Sequence, residues 1–302
     1  MKVVFLGTSG SMPTAERSSS STVIKIGRDL VMFDCGEGTQ RQMVKARVGF
    51  RRDMIILISH LHGDHILGIP GLLQTMSLLG RERQLEIFGP VGLVDYIRSF
   101  SETLGGPSFP VIIYEIQESG KIHEEDRFKI IAVPVEHRLA GWSYGFIEEP
   151  RPGRFYPEKA RELGVPEGPL WHKLQHGESV EINGSTVNSS QVTDPSRPGR
   201  KIVYSGDTRP TNDVRNLSDR ADLLIHEATF MDELRDRAIE DGHTTVKEAA
   251  ELAREAGVKK LALTHISSRY PDSEPLLNEA RSVFKRTIIA EDLMEIEIPI
   301  PR

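Results

Sequence analysis

Ser59-His60-Leu61-His62-Gly63-Asp64-His65 is the stretch on which the reading of the whole chain turns. It follows Met54-Ile55-Ile56-Leu57-Ile58, a short apolar run that predicts a buried strand. It precedes Ile66 to Leu79, which predicts a helix. Three imidazoles and one carboxylate thus sit at the carboxyl end of a strand. A loop there is held rigidly enough to aim side chains and is open enough to admit a ligand. Alternation in extended backbone lets His60 and His62 point the same way, with Asp64 and His65 turned toward a second point nearby. Grouped imidazoles have no packing role on a loop, and each needs partners for its ring nitrogens. The H-x-H-x-D-H pattern offers nitrogen and oxygen donors and no thiolate. That suits zinc or a similar first-row metal, with donors enough for two ions.

Working outward, the strand-end pattern recurs. Asp34 closes the apolar run Leu30 to Phe33, and the glycine-rich Cys35-Gly36-Glu37-Gly38-Thr39-Gln40 opens a helix to about Val48. Asp34 is a candidate to orient a metal-bound histidine; the plainer reading is a loop carboxylate. His137 follows the strand Phe128 to Val133 and is a candidate next ligand. Asp207 follows Lys201 to Tyr204, after a glycine that lets backbone come close, and fits a bridging ligand. Asp222 to Ile225 runs into His226-Glu227-Ala228-Thr229, and Lys259 to Leu263 runs into Thr264-His265. His243 lies just before a helix whose capping box is Thr245 and Glu248, whose apolar stripe is Val246, Ala249, Ala250, Ala253 and Ala256, and which Gly257 ends. A helix N-terminus favours anions such as phosphate.

The opening runs, Lys2 to Leu6, Thr22 to Ile26 and Leu30 to Phe33, read as strands, the last two joined by Gly27-Arg28-Asp29. Later strands alternate with helices, one of them expected from Pro90 to about Leu104. The pattern predicts an α/β fold in which two mixed sheets pack face to face with helices outside and the site lies along one edge. One catalytic domain, 1–302, is expected, with an inserted arm at about 150–180. That arm, rich in proline and glycine, is expected to be too short to bury a core of its own. It carries Phe155, Tyr156 and Trp171 among Arg154, Lys159 and Arg161. Aromatic rings between basic side chains suit RNA; a dimer contact or a mobile loop is the alternative. His172 and His176 in the arm are not expected to be metal ligands.

Bulk properties set limits. Hydrophobic residues make up 38% and charged residues 27% of the 302, which predicts a folded soluble chain. No apolar run approaches a membrane span, and the start, Met1 to Gly7, predicts a first strand rather than a secretory signal. The single cysteine, Cys35, excludes an intrachain disulfide and fits a reducing cytoplasm. A net charge of −6 argues weakly against nucleic acid, but local basic runs matter more. Those runs are 41–52, 151–161 and Arg197-Arg200-Lys201, each of which could equally be solvated surface.

With these pieces in hand, the chain resembles the metallo-β-lactamase superfamily through His60-x-His62-x-Asp64-His65, His137, Asp207 and His265, in that order. Within it the chain resembles the ribonuclease Z family. That likeness rests on Asp34-Cys35-Gly36-Glu37-Gly38-Thr39-Gln40, on His226-Glu227-Ala228-Thr229 followed by His243-Thr244-Thr245, and on the arm with Gly168-Pro169. Thr244 departs from the serine common in the family. The resemblance covers nearly the whole chain and implies the αββα sandwich and the short, single-domain form. It implies two Zn2+ per subunit: His60, His62 and His137 hold one, Asp64, His65 and His265 the other, and Asp207 bridges them. It implies a precursor tRNA substrate cut at its 3′ side and a homodimer, with no membrane and no DNA as partners. Asp64, His243 and Glu227 are the expected catalytic residues, and Gly168, Pro169 and Arg154 the expected RNA contacts. A metal-activated water, oriented by Asp64, would attack phosphorus, and His243, held by Glu227, would protonate the leaving oxygen. Hydrolysis of a small phosphodiester or thioester, a non-catalytic RNA-binding role, and action on other RNA or DNA are the alternatives.

Overall fold

Alternation along Lys2–Gly7 sends Val4 and Leu6 to one side and Val3 and Phe5 to the other, and all four are fully buried. A strand buried on both faces needs cover on both. The computed structural model, which describes residues 1–300, provides helices on one side and a second sheet on the other.

The first sheet has seven strands, in spatial order Glu295–Glu297, Lys2–Gly7, Ser21–Ile26, Asp29–Phe33, Asp53–Leu57, Leu85–Gly89 and Val111–Glu115. It is antiparallel as far as Asp29–Phe33 and parallel beyond it. Val4, Leu6, Met32, Ile56 and Ile87 of its outer face pack with Met43, Leu72, Met76 and Ile97 of the helices Thr39–Lys45, Ile69–Leu78 and Leu93–Leu104. The second sheet also has seven, in the order Thr287–Ile289, Leu261–Thr264, Leu223–Glu227, Lys201–Tyr204, Trp142–Glu148, Phe128–Pro134 and Gly120–Glu124. Its first four strands are parallel, and parallel neighbours need crossovers. Three helices, Asn212–Leu217, Val246–Glu255 and Glu274–Val283, pack on its outer face through Val203, Leu224, Leu261 and Leu263. The inner faces meet where the Phe33 ring stacks on Tyr204, centroids 5.0 Å apart, and where Tyr144 donates its hydroxyl to the Ile58 carbonyl at 2.6 Å. This is the αββα arrangement expected from the sequence.

Three local departures have physical causes. The helix expected over Ile66 to Leu79 is two, Gly63–Ile66 and Ile69–Leu78. The break falls at Gly68, whose N–H donates to the Cys35 carbonyl at 2.9 Å and where any Cβ would lie 2.0 Å from the Gly36 oxygen. The helix expected from Pro90 begins only at Leu93, after Gly92 at φ 101°. Trp142–Glu148, absent from the sequence reading, is a strand paired antiparallel with Lys201–Tyr204, and its Gly145 leaves the space that Leu217 occupies.

A second compact unit comprises residues 148–200 with 126–128. Here the expectation of an arm without a core is overturned. Ala160, Val165, Leu174, Val180, Val187 and Val192 form an apolar cluster flanked by Phe155 and Trp171. The reason is length: the unit runs past 180 and adds the hairpin Val180–Ile182 and Ser185–Val187 and the turn of helix Ser189–Val192. Arg200 also leaves the third basic run, for it is buried and forks onto Glu148 with two bonds of 2.7 Å. Burial would raise the Glu148 carboxyl, but Arg200 and Arg151 hold it down to about 2.

Candidate metal centre

Every candidate ligand lies just past a strand end, or on the turn that follows one. After Asp53–Leu57 an irregular stretch leads to His62, extended at φ −68° and ψ 147°, which caps the short helix Gly63–Ile66. That one helical turn swings Asp64 and His65 away from the direction of His60 and His62. The second sheet adds single residues: His137 after Phe128–Pro134, Asp207 after Lys201–Tyr204, and His265 after Leu261–Thr264.

The seven converge as two donor groups, and a third set, Asp207, His243 and His265, overlaps them. One ligand atom from each of His60, His62, His137 and Asp207 lies within 4.8 Å of the others, and so do atoms of Asp64, His65 and His265. His62 Nδ1 is 2.8 Å from His60 Nε2 and 3.2 Å from His137 Nε2. Asp207 Oδ2 stands between the groups, 3.6 Å from His60 Nε2, 3.4 Å from His65 Nε2 and 3.3 Å from His265 Nε2. Asp64 Oδ2 is 3.5 Å from His65 Nε2 and 3.3 Å from His265 Nε2.

The outer ring nitrogens show which way these imidazoles are wired. His65 Nδ1 donates to Asp34 Oδ2 at 2.7 Å. The Ser59 hydroxyl donates to the same oxygen at 2.8 Å and so accepts from His60 Nδ1 at 3.0 Å. His137 Nδ1 donates to the Gly242 carbonyl at 2.7 Å. The Thr229 hydroxyl donates to Glu227 Oε2 at 2.8 Å and accepts from His265 Nδ1 at 2.9 Å. A proton on Nδ1 leaves the Nε2 lone pair free to face inward, which is how a metal-binding histidine is held. His65 Nε2 is buried and has no hydrogen-bond partner among the described residues. Burial opposes charge on His65, yet Asp207 and Asp34 outweigh it and raise its pKa well above the ordinary value. Burial likewise opposes charge on Asp207, and the imidazoles of His265 and His65 hold it well below the carboxylate range. The carboxylates therefore demand positive charge between these rings, as protons or as metal cations. The donor set fits a pair of cations with nitrogen and oxygen preference.

A second chemical element borders the cluster. His243 Nδ1 donates to Glu227 Oε1 at 2.9 Å, and Glu227 is saturated by the N–H groups of Thr208 at 3.0 Å and Thr229 at 3.2 Å. Burial lowers the pKa of His243, but Glu227 and then Asp207 outweigh it and raise it to about 9. Burial raises Glu227, and His243 more than offsets that. Thr244, beside it, keeps the hydroxyl of the serine it replaces and donates it to the Thr208 carbonyl. The imidazole borders a cleft of about 690 Å³, shared with His62, Asp64, His137, Asp207 and Arg269.

The structure thus brings together His60, His62, Asp64, His65, His137, Asp207, His265, Glu227 and His243. Arg154, Gly168 and Pro169 lie in the second unit. There Arg154 and Lys159 both lie over the Tyr156 ring, at 5.3 Å and 4.4 Å, and Gly168, φ 131°, caps the helix Pro169–Gln175. Sequence reasoning missed the loop after the first strand. Ser11, φ 57°, donates its N–H to Asp64 Oδ2 at 2.9 Å, and Gly10 packs so close to His265 that a Cβ would meet its carbonyl at 2.8 Å. The signal was there in Gly7-Thr8-Ser9-Gly10-Ser11. Tyr204, which donates to Asp34 Oδ2 at 2.6 Å, carried no signal, since it reads as the end of a core strand.

Comparison with known proteins agrees with this geometry. A family model described as a beta-lactamase superfamily domain matches residues 167–266, and one described as the anti-Pycsar protein Apyc1 matches 1–147. The chain is 48% identical to a ribonuclease Z of Methanosarcina mazei over 99% of its length and 98% of the relative's. It is 47% identical to a ribonuclease Z of Archaeoglobus fulgidus, over 98% and 97%. Among solved structures it is similar to the short form of human tRNase Z, with a TM-score of 0.74 and 30% identity, covering 99% of this chain and 100% of that one.

Proposed function

The chain belongs to the ribonuclease Z family, and from that premise we propose that it is the hydrolase that cuts precursor tRNA at its 3′ side. It removes the trailer, leaving a 3′ hydroxyl on the tRNA and a 5′ phosphate on the trailer. The observation that carries this reading is the Glu227–His243 pair standing beside a complete His/Asp donor cluster. A metal-binding cluster alone serves many hydrolases; a held proton donor next to it suits expulsion of an alkoxide.

We assign two Zn2+ to the cluster. His60, His62 and His137 would hold one, Asp64, His65 and His265 the other, and Asp207 would bridge them. When bound, such a pair supplies Lewis acidity at the phosphate and a water acidic enough to react near neutral pH. The remaining steps belong to the chain. Asp64 accepts a hydrogen bond from the attacking water and takes its proton. Burial would raise the Asp64 carboxyl, but His265 and His65 hold it well below the ordinary range, so it stands ionised and able to accept the hydrogen bond. The water oxygen bonds to phosphorus as the bond to the 3′ oxygen breaks. His243 gives that oxygen its proton, and Glu227 keeps the His243 proton-bearing and correctly turned.

The subunit is assigned to a homodimer on the resemblance. Leu67, Leu78 and Leu79, 55%, 87% and 42% exposed, offer apolar area for it. The lone cysteine, buried Cys35, suits the cytoplasm. No helix of the described residues is long and apolar enough to cross a membrane. The RNA is assigned to the arm's basic and aromatic side chains, Arg154 among them, and to Gly168 and Pro169. The test is cleavage of a trailer-bearing precursor tRNA by zinc-loaded protein, with both new ends mapped. A single cut after the discriminator nucleotide, with the stated end groups, is expected. No cut, with a small phosphodiester still hydrolysed, would overturn the substrate assignment while keeping the metal site.

A further inference from the structure

The structure assigns Arg209 a positioning role in which its guanidinium holds the turn that presents His243; this rests on the reading of His243 as proton donor. Arg209 lies two residues beyond Asp207, and its backbone N–H donates to the Glu136 carbonyl at 2.8 Å, beside His137. Its side chain is 13% exposed. Nη1 donates to the His243 carbonyl at 2.5 Å and to Glu248 Oε2 at 2.8 Å, and Nη2 donates to Glu248 Oε1 at 2.5 Å. Glu248 Oε2 also accepts the Thr245 N–H at 3.0 Å. One planar group therefore grips the segment at the carbonyl of His243 and at its capping carboxylate. A bidentate fork sets orientation as well as distance, which a lysine ammonium does not.

The segment carrying the imidazole is held by Glu227 at the ring and by Arg209 at the His243 carbonyl. It is held also by the His243 N–H, which donates to the Ala238 carbonyl at 2.8 Å, and by the Thr244 hydroxyl, which donates to the Thr208 carbonyl. Of these only Arg209 grips the His243 carbonyl and the capping carboxylate together, which fixes the tilt of the peptide from which the imidazole projects. A proton donor must lie within hydrogen-bond reach of the leaving oxygen, and a misplacement of about 1 Å costs about 10²-fold. Arg235 Nε lies 3.2 Å from Glu248 Oε1, so Glu248 keeps a cationic partner when Arg209 is replaced, and the helix keeps its cap.

The experiment compares Arg209→Met, His243→Ala and the double variant in single-turnover cleavage of trailer-bearing tRNA. RNA binding and zinc content are measured alongside. A second substrate carries sulfur in place of the bridging 3′ oxygen, so that the leaving thiolate departs without a proton. Arg209→Met is expected to slow the oxygen substrate about 10²-fold. It should slow the sulfur substrate less than about threefold, leave RNA binding and zinc unchanged, and cost nothing further in the His243→Ala background. Arg209→Lys should recover part of the rate. Equal loss on both substrates, or an undiminished loss in the His243→Ala background, would overturn the role of Arg209. If His243→Ala by itself leaves the oxygen substrate unaffected, it is the proton-donor reading that fails first, and the inference with it.

Discussion

Two carboxylates stand behind the cluster, one from each sheet, and each governs two imidazoles. Asp34, at the end of Asp29–Phe33, holds His65 directly and His60 through the Ser59 hydroxyl. Glu227, at the end of Leu223–Glu227, holds His243 directly and His265 through the Thr229 hydroxyl. The wiring is alike, but the surroundings differ. Asp34 is completely buried, sits at φ 56°, and accepts further bonds from the Ser59 N–H and from the Tyr204 hydroxyl of the opposite sheet. Both of its imidazoles face the cluster. Glu227 has one imidazole facing the cluster and one bordering the cleft. The lesson is that the same device, a buried carboxylate choosing a tautomer, can serve cation binding or proton delivery according to where its imidazole points.

The largest expected effect comes from the residue between the two sets. With two zinc ions bound as proposed, Asp207→Ala should release both and abolish turnover, because Asp207 Oδ2 stands between both donor groups. Metal analysis of the purified variant checks this, and retention of one full equivalent would break the bridging assignment. Next is His243→Ala, expected to cut turnover by about 10²–10⁴-fold while RNA affinity, measured by filter binding, stays unchanged. Parallel loss of both would remove His243 from proton delivery. Asp34→Asn should weaken zinc binding about 10–100-fold in a competition titration, since the amide cannot match a carboxylate toward the His65 N–H and the Ser59 hydroxyl that together orient His65 and His60. An unaltered affinity there would mean that Asp34 merely joins the sheets. The smallest is a shift in pH. As the proposed proton donor, His243 must carry a proton to act; its pKa is raised to about 9, and Glu227 is the main group raising it. Activity should therefore fall as pH rises through that pKa. In Glu227→Gln the fall should move to lower pH, whereas Asp34→Asn should leave its position alone.

The sequence was legible wherever a ligand followed a strand of plain pattern. His60 to His65 form a contiguous motif, and Asp207 and His265 follow largely apolar strands of four residues each. The capping box of Thr245 and Glu248 appears as read, with both reciprocal bonds formed. What escaped notice was held by backbone or by distance. Ser11 reaches Asp64 with its N–H, and the glycine- and serine-rich run around it signals a pliable loop without saying what that loop meets. Tyr204 and Asp34 are 170 residues apart. Gly68 breaks a helix because the Gly36 carbonyl lies against it, a contact made only after folding. The small core of the second unit was missed because its members are spread from Phe155 to Val192 with no sustained period.

By itself the sequence determined the chemistry on offer: which donors exist, that they are nitrogen and oxygen, and that they follow strand ends. Local propensity and side-chain identity carry that information, and both are properties of neighbouring residues. Only the tertiary structure decided which donors share a point, which ring nitrogen of each histidine faces it, and that Arg209 reaches the carbonyl of His243. Those are contacts between segments far apart in the chain, and their geometry exists only once the two sheets have packed.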